Sequence, residues 1–158
     1  MNHQPKPQKL NLAFGNGEHF TATLLWEDAP RTCAAIVGVL PAEGKPRHAQ
    51  WAGAEFMFSG FPIQERLPIE NPFVWREPDF VITNKHPGGV LAFYPNPQVR
   101  AFCVLYGETI PRCTVDKPVA VTVFATIDEP QKAEKIGRSF REIGPSSLRI
   151  SAVDDCDE

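Results

Sequence analysis

Apolar and polar positions alternate almost from the start of this chain. Residues 8–14 set Leu10, Leu12 and Phe14 against Lys9, Asn11 and Ala13, the period of a half-buried strand. Gly15-Asn16-Gly17 follows, a hairpin signal because these residues tolerate positive φ, and 19–26 reads as the return strand. The period then lengthens. Across 29–40, Cys33, Ile36, Val37 and Leu40 fall three or four apart, on one face of a helix. Asp28 stands where it can accept hydrogen bonds from first-turn amides, and Pro30 where a missing N–H costs least. Pro41 and Gly44 end the run.

Residues 47–51 and 55–59 read as two strands broken at Gly53, and 61–81 as a proline-rich surface excursion. Gly88-Gly89 opens a strand at 90–94. The run 101–106 is nearly all apolar, which predicts a strand covered on both faces. Arg100, Phe102, Val104 and Tyr106 share one side of it; Ala101, Cys103 and Leu105 share the other. Pattern alone leaves open which side faces inward. The longest strand pattern spans 119–127. Asp128-Glu129-Pro130 starts a second helix at 131–143, with Ala133, Ile136, Phe140 and Ile143 inward, and 148–153 is a last strand. Many short strands with two helices predict a mainly β fold, a closed barrel plugged by its helices, because closure removes sheet edges. Periodicity leaves an open α+β sandwich as the alternative.

With 158 residues, one domain is expected, residues 8–153, between a disordered polar tail (1–7) and an acidic tail (154–158). Sixteen prolines are about twice the usual ~5 % share and favour strands and loops over helices. A net charge of −3 argues against nucleic acid and anionic membranes as partners. The longest apolar run, 33–40, is far shorter than the roughly 18 residues of a membrane span. The first residues, MNHQPKPQK, have no apolar core of the secretory kind. Cys33, Cys103, Cys113 and Cys156 show no close pairing, so reduced thiols in a cytoplasmic protein are expected.

The candidate chemistry centres on 48–51. His48 titrates near neutrality, Gln50 shares its face, and Trp51 offers a stacking surface with one N–H donor. The plainer alternative makes His48 a satisfied structural histidine and puts Trp51 in the core. Tyr94 and Tyr106 end apolar strands, where a barrel mouth would present their hydroxyls to a ligand. Glu55, Glu70 and Glu108 could pair with His48 as acid and base, although surface solvation is the default for each. Clustered Cys/His spacing, a G-x-S-x-G elbow and a phosphate loop are all missing, so no metal and no cofactor is expected. Cys33 and Cys103 lie on apolar elements, where burial makes thiols inert.

Several of these segments resemble cyclophilins, in the same order along the chain. Pro30-Arg31-Thr32 resembles the family's Pro-Lys-Thr, Arg47-His48-Ala49 its Phe-His-Arg strand, and Glu55-Phe56-Met57 its Gly-Phe-Met continuation. The stretch from His86-Pro87-Gly88-Gly89 to Tyr94-Pro95-Asn96 resembles the family's His-Thr-Gly-Pro-Gly strand. More narrowly, HAQWAG and the later LYG resemble an uncharacterised bacterial family of cyclophilin-like proteins. The resemblance implies a closed eight-stranded barrel with two capping helices. It also marks a departure: where cyclophilins aim an arginine at the prolyl amide, this chain has Ala49, and Ser59 looks like the family's glutamine. Prolyl isomerase chemistry needs a donor on that twisted amide, so it is not expected unless Arg47 or Arg100 takes over.

The resulting expectation is a barrel whose groove holds a small molecule or short peptide, lined by His48, Gln50, Trp51, Phe56, Met57, Tyr94, Arg100 and Tyr106. An anionic ligand is conceivable through Arg100 and His48. The alternatives are a prolyl isomerase with a displaced arginine, and an interaction or homo-oligomeric assembly module using 61–81.

Overall fold

The computed structural model describes residues 6–73, 88–114 and 117–153. The tails at 1–5 and 154–158, the second half of the 61–81 excursion and His86-Pro87 lie outside the described residues.

The first two strands, β1 (Lys9–Phe14) and β2 (His19–Leu24), form the expected hairpin. Both alternate strictly between buried and half-exposed positions, and Gly17 turns the corner at φ 91°. Helix α1 (Pro30–Gly38) follows, then the short strands β3 (Ala42–Gly44) and β4 (Arg47–His48), and then β5 (Gly53–Phe58). The rest of the chain gives β6 (Pro72–Phe73), β7 (Val90–Tyr94), β8 (Ala101–Thr109), β9 (Arg112–Thr114), β10 (Lys117–Pro118), β11 (Val121–Ile127), α2 (Pro130–Glu142) and β12 (Leu148–Ala152). Sequence pattern missed β3, β9 and β10, which are too short to carry a period.

Nine strands join in one antiparallel path, β3-β12-β1-β2-β11-β7-β8-β5-β4, with β6 added beside β11. This corrects the expected closed eight-stranded barrel. The sheet curls far enough that its two edge strands, β3 and β4, are consecutive in the chain, but no ladder pairs them. Lys45-Pro46 spans that seam. A prolyl nitrogen has no hydrogen to donate, so this link cannot extend either ladder through it.

Inside the curl lies the main core, including Leu10, Leu12, Phe14, Phe20, Phe56, Phe61, Phe102, Phe124 and Phe140. Helix α2 packs over one end through Ala133, Ile136, Gly137 and Phe140. Ile143, expected inward, is 85 % exposed, because the helix ends one residue before it. A second apolar cluster covers the outer face of β7, β8 and β11: Val90, Ala92, Ala101, Cys103, Leu105, Val121 and Val123. Strand β8 is thus buried on both faces, as its composition predicts, with Phe102 and Val104 facing the main core.

Helix α1 is capped differently from the expectation. Its N-cap is Ala29, and no side chain of its own segment caps it; Asp28 does not take that role. Glu70 does so from the excursion: Oε1 accepts from Thr32 N and Thr32 Oγ1, both at 2.8 Å, and Oε2 from Arg31 N at 3.3 Å. The Glu70 amide in turn donates to Thr122 Oγ1 on β11 at 2.9 Å. Glu70 is therefore a tether between elements and not a freely solvated acid.

Candidate functional site

A pocket of about 230 Å³ lies on the outer face of the curled sheet and not in its interior. Residues 47–52 form one wall; Glu55 and Met57 of β5, Ala101 and Cys103 of β8, and Tyr94 of β7 form the floor and back. Pro111, Arg112, Val119 and Val121 close the far side, and Val99 completes the lining. Strand pleat explains the set. On β5, Phe56 and Phe58 turn inward, so Glu55 and Met57 turn out. Register then aligns Arg47 with Met57, and Met57 with Cys103, so one row of outward side chains crosses three strands.

Of the side chains expected in a groove, His48, Gln50, Trp51, Met57 and Tyr94 line this pocket. Three do not. Phe56 is fully buried in the main core, against Phe14, Phe140 and Tyr106. Tyr106 also points inward, onto Gly137 of α2. Arg100 sits in the β7–β8 connection at φ 48° and does not line this pocket. Trp51 is 47 % exposed at the pocket mouth, contrary to the alternative that buries it.

His48 bridges the two sides of the sheet. Its Nδ1 lies 2.8 Å from Ala49 O and its Nε2 2.6 Å from Tyr106 Oη. A carbonyl can only accept, so Nδ1 carries the hydrogen and Nε2 accepts from the tyrosine hydroxyl. Burial, and then the positive charge of Arg141, lower the His48 pKa against a raising bond from Ala49. The ring is neutral, with both nitrogens engaged. Its edge reaches the pocket.

Glu55 is the residue that sequence reasoning undervalued. It is 3 % exposed, and its Oε1 has no hydrogen-bond partner among the described residues. Burial pushes its carboxyl up to about 7, while the Cys103 thiol, bonded to the carboxyl, pulls it down by less. The same burial and the neighbouring acid raise the Cys103 thiol well above its ordinary value, so it is no nucleophile. Cys33 is likewise inert, its thiol pushed up to about 12 chiefly by burial. The only sequence signal for Glu55 was a charge at the start of an apolar strand. Among the described residues, no group of three or more His, Cys, Asp or Glu side chains could hold a metal ion.

The sequence matches the family described as "Protein of unknown function (DUF3830)" over residues 14–151. The chain belongs to that family. No curated protein matches this DUF3830 chain. Three solved structures share its fold. The hypothetical protein AF2241 from Archaeoglobus fulgidus is 20 % identical with a TM-score of 0.62, the match covering 97 % of this chain and 100 % of that one. McbB in complex with tryptophan is 17 % identical with a TM-score of 0.61 over 92 % of this chain. That match covers 46 % of the McbB chain, so the DUF3830 chain spans about half of it. The Mimivirus cyclophilin is 11 % identical with a TM-score of 0.50, covering 96 % of this chain and 90 % of that one. These likenesses establish a cyclophilin-like fold. Among the described residues no helix is long and apolar enough to cross a membrane.

Proposed function

We propose that this protein binds a small organic molecule in the outer-face pocket and lacks classical prolyl isomerase chemistry. Glu55 carries the reading. A buried polar atom without a partner costs on the order of 1–3 kcal/mol. An isolated domain gains nothing from holding one at the floor of an open pocket, whereas a ligand that meets it recovers that loss. The volume suits a small molecule: about 230 Å³ is room for roughly eight waters at ~30 Å³ each. Val99, Val119, Val121 and Met57 supply an apolar wall, and Trp51 an exposed aromatic face at the mouth.

Met57 provides the test. The sequence has two methionines, Met1 and Met57, so one internal methyl resonance reports on the pocket. A ¹³C-methyl-labelled protein screened against small metabolites should show Met57 shifts, with matching rises in unfolding temperature. A broad library that moves neither defeats the proposal.

A second reading is prolyl isomerisation with Arg47 in the role of the missing cation, favoured because Arg47 lines the pocket beside Ala49. Turnover of a proline tetrapeptide that disappears in Arg47→Ala would establish it over the binding reading.

A further inference from the structure

The groups around Glu55 say which kind of molecule fits. Among the described residues, the titratable side chains that line the pocket with it are Arg47 and His48 from β4, Cys103 from β8, Tyr94 from β7 and Arg112 from β9. His48 is neutral with both nitrogens used, and Cys103 is held as a thiol. The Tyr94 hydroxyl accepts from Asn96 Nδ2 at 3.2 Å. Arg112 is already partnered; among the described residues the Arg47 guanidinium therefore sets the sign of charge beside Glu55 once that acid is protonated. Arg47 shares the outward face with Glu55 as its diagonal cross-strand neighbour, where Cα atoms lie roughly 7–8 Å apart. A cation entering here would meet like charge, whereas an oxyanion meets charge of the opposite sign.

Resting on the small-molecule reading above, we infer that the occupant is a small organic acid. Its carboxylate accepts a hydrogen bond from the Glu55 carboxyl at Oε1 and lies against the Arg47 guanidinium, while its apolar body packs on Met57 and the valines. Oε1 has no hydrogen-bond partner among the described residues, so it is the edge open to a ligand. A carboxyl raised to about 7 by burial still carries its proton below neutrality and can donate. A ligand anion set beside it favours that protonated form further.

The full chain, ¹³C-labelled at methionine methyls, is titrated with benzoate, benzylamine and benzyl alcohol at pH 6 and pH 8. Benzoate should shift the Met57 methyl and bind about tenfold more weakly at pH 8, since the competent, protonated fraction falls by that factor across the two values. Glu55→Gln, whose amide donates as the protonated acid does, should keep the affinity seen at pH 6 and lose the pH dependence. Arg47→Gln should weaken benzoate at both pH values. Preference for benzylamine, or its affinity rising with pH, overturns the inference in favour of an ammonium on an ionised Glu55. Equal binding of the alcohol, a flat benzoate profile, or loss of benzoate binding in a folded Glu55→Gln also overturns it and leaves the pocket standing. If no probe moves Met57, the small-molecule reading falls with it.

Discussion

The Tyr106 hydroxyl donates to His48 Nε2 across 2.6 Å, joining a residue of the main core to the pocket wall. Tyr106 packs on Phe56 and under α2, and His48 sits at the end of the edge strand β4. One hydrogen bond therefore ties the outermost strand to the interior. Tyr106→Phe should cost about 1–2 kcal/mol, because it leaves an imidazole nitrogen without its donor. Urea denaturation measures it, and an unchanged midpoint would show that water replaces the hydroxyl.

Two groups make stability depend on pH in opposite directions. The His48 pKa is lowered in the fold, so its contribution is complete above the unfolded value of 6.5 and is lost as pH falls through the folded value. Glu55 is raised from 4.5 to about 7, so the fold binds the extra proton and stability falls as pH rises between those values. That shift is worth about 3 kcal/mol. Glu55→Gln should therefore gain on the parent by that order between pH 4.5 and pH 8, read from paired denaturation curves. Parallel curves would mean that the carboxyl is not held dry.

Glu70 reaches 38 residues back along the chain to cap α1. Glu70→Ala should destabilise by about 1–2 kcal/mol, the usual value of a helix cap. Asp28→Ala should have a much smaller effect. Reversal of that order, measured by thermal unfolding, would reassign the cap.

Gly137 lies mid-helix, where alanine is ordinarily favoured by about 1 kcal/mol. Here an added methyl would overlap the Tyr106 ring, which His48 holds in place. Gly137→Ala should be net destabilising by about 1–3 kcal/mol and should weaken the His48 contact, visible as a raised His48 pKa in an NMR titration.

Arg100 occupies the left-handed region at φ 48°, where a side chain is strained. Arg100→Gly should leave the fold as stable or stabilise it by about 0.5–1 kcal/mol. Ligand-induced shifts at Met57 should be unchanged, because Arg100 does not line the pocket.

Much of the architecture could be read from the residues, because it rests on strong periods. The alternation of Leu10, Leu12 and Phe14, the helical spacing of Cys33 and Ile36, and the unbroken apolar run of β8 all fold as their patterns say. The site was less legible. Local pattern says that Phe56 and Met57 face opposite ways, but not which of them meets the core; only the curl of the whole sheet decides that. Glu55 looked like any strand-edge acid until β8 brought Cys103 alongside and excluded water. Glu70 looked solvated for the same reason, since its partners are 38 and 52 residues away. The open seam could not be read either, because it turns on whether three residues at 42–44 and two at 47–48 pair with each other.

That seam gives the sheet a clasp. Its first and last strands in space are held by one short covalent bridge, Lys45-Pro46, at most about 11 Å from Gly44 to Arg47. The rims cannot drift apart by more than this tether allows, so neither presents the long bare margin on which a foreign strand could dock. Severing the peptide there would turn a fastened hoop into a ribbon with two free borders.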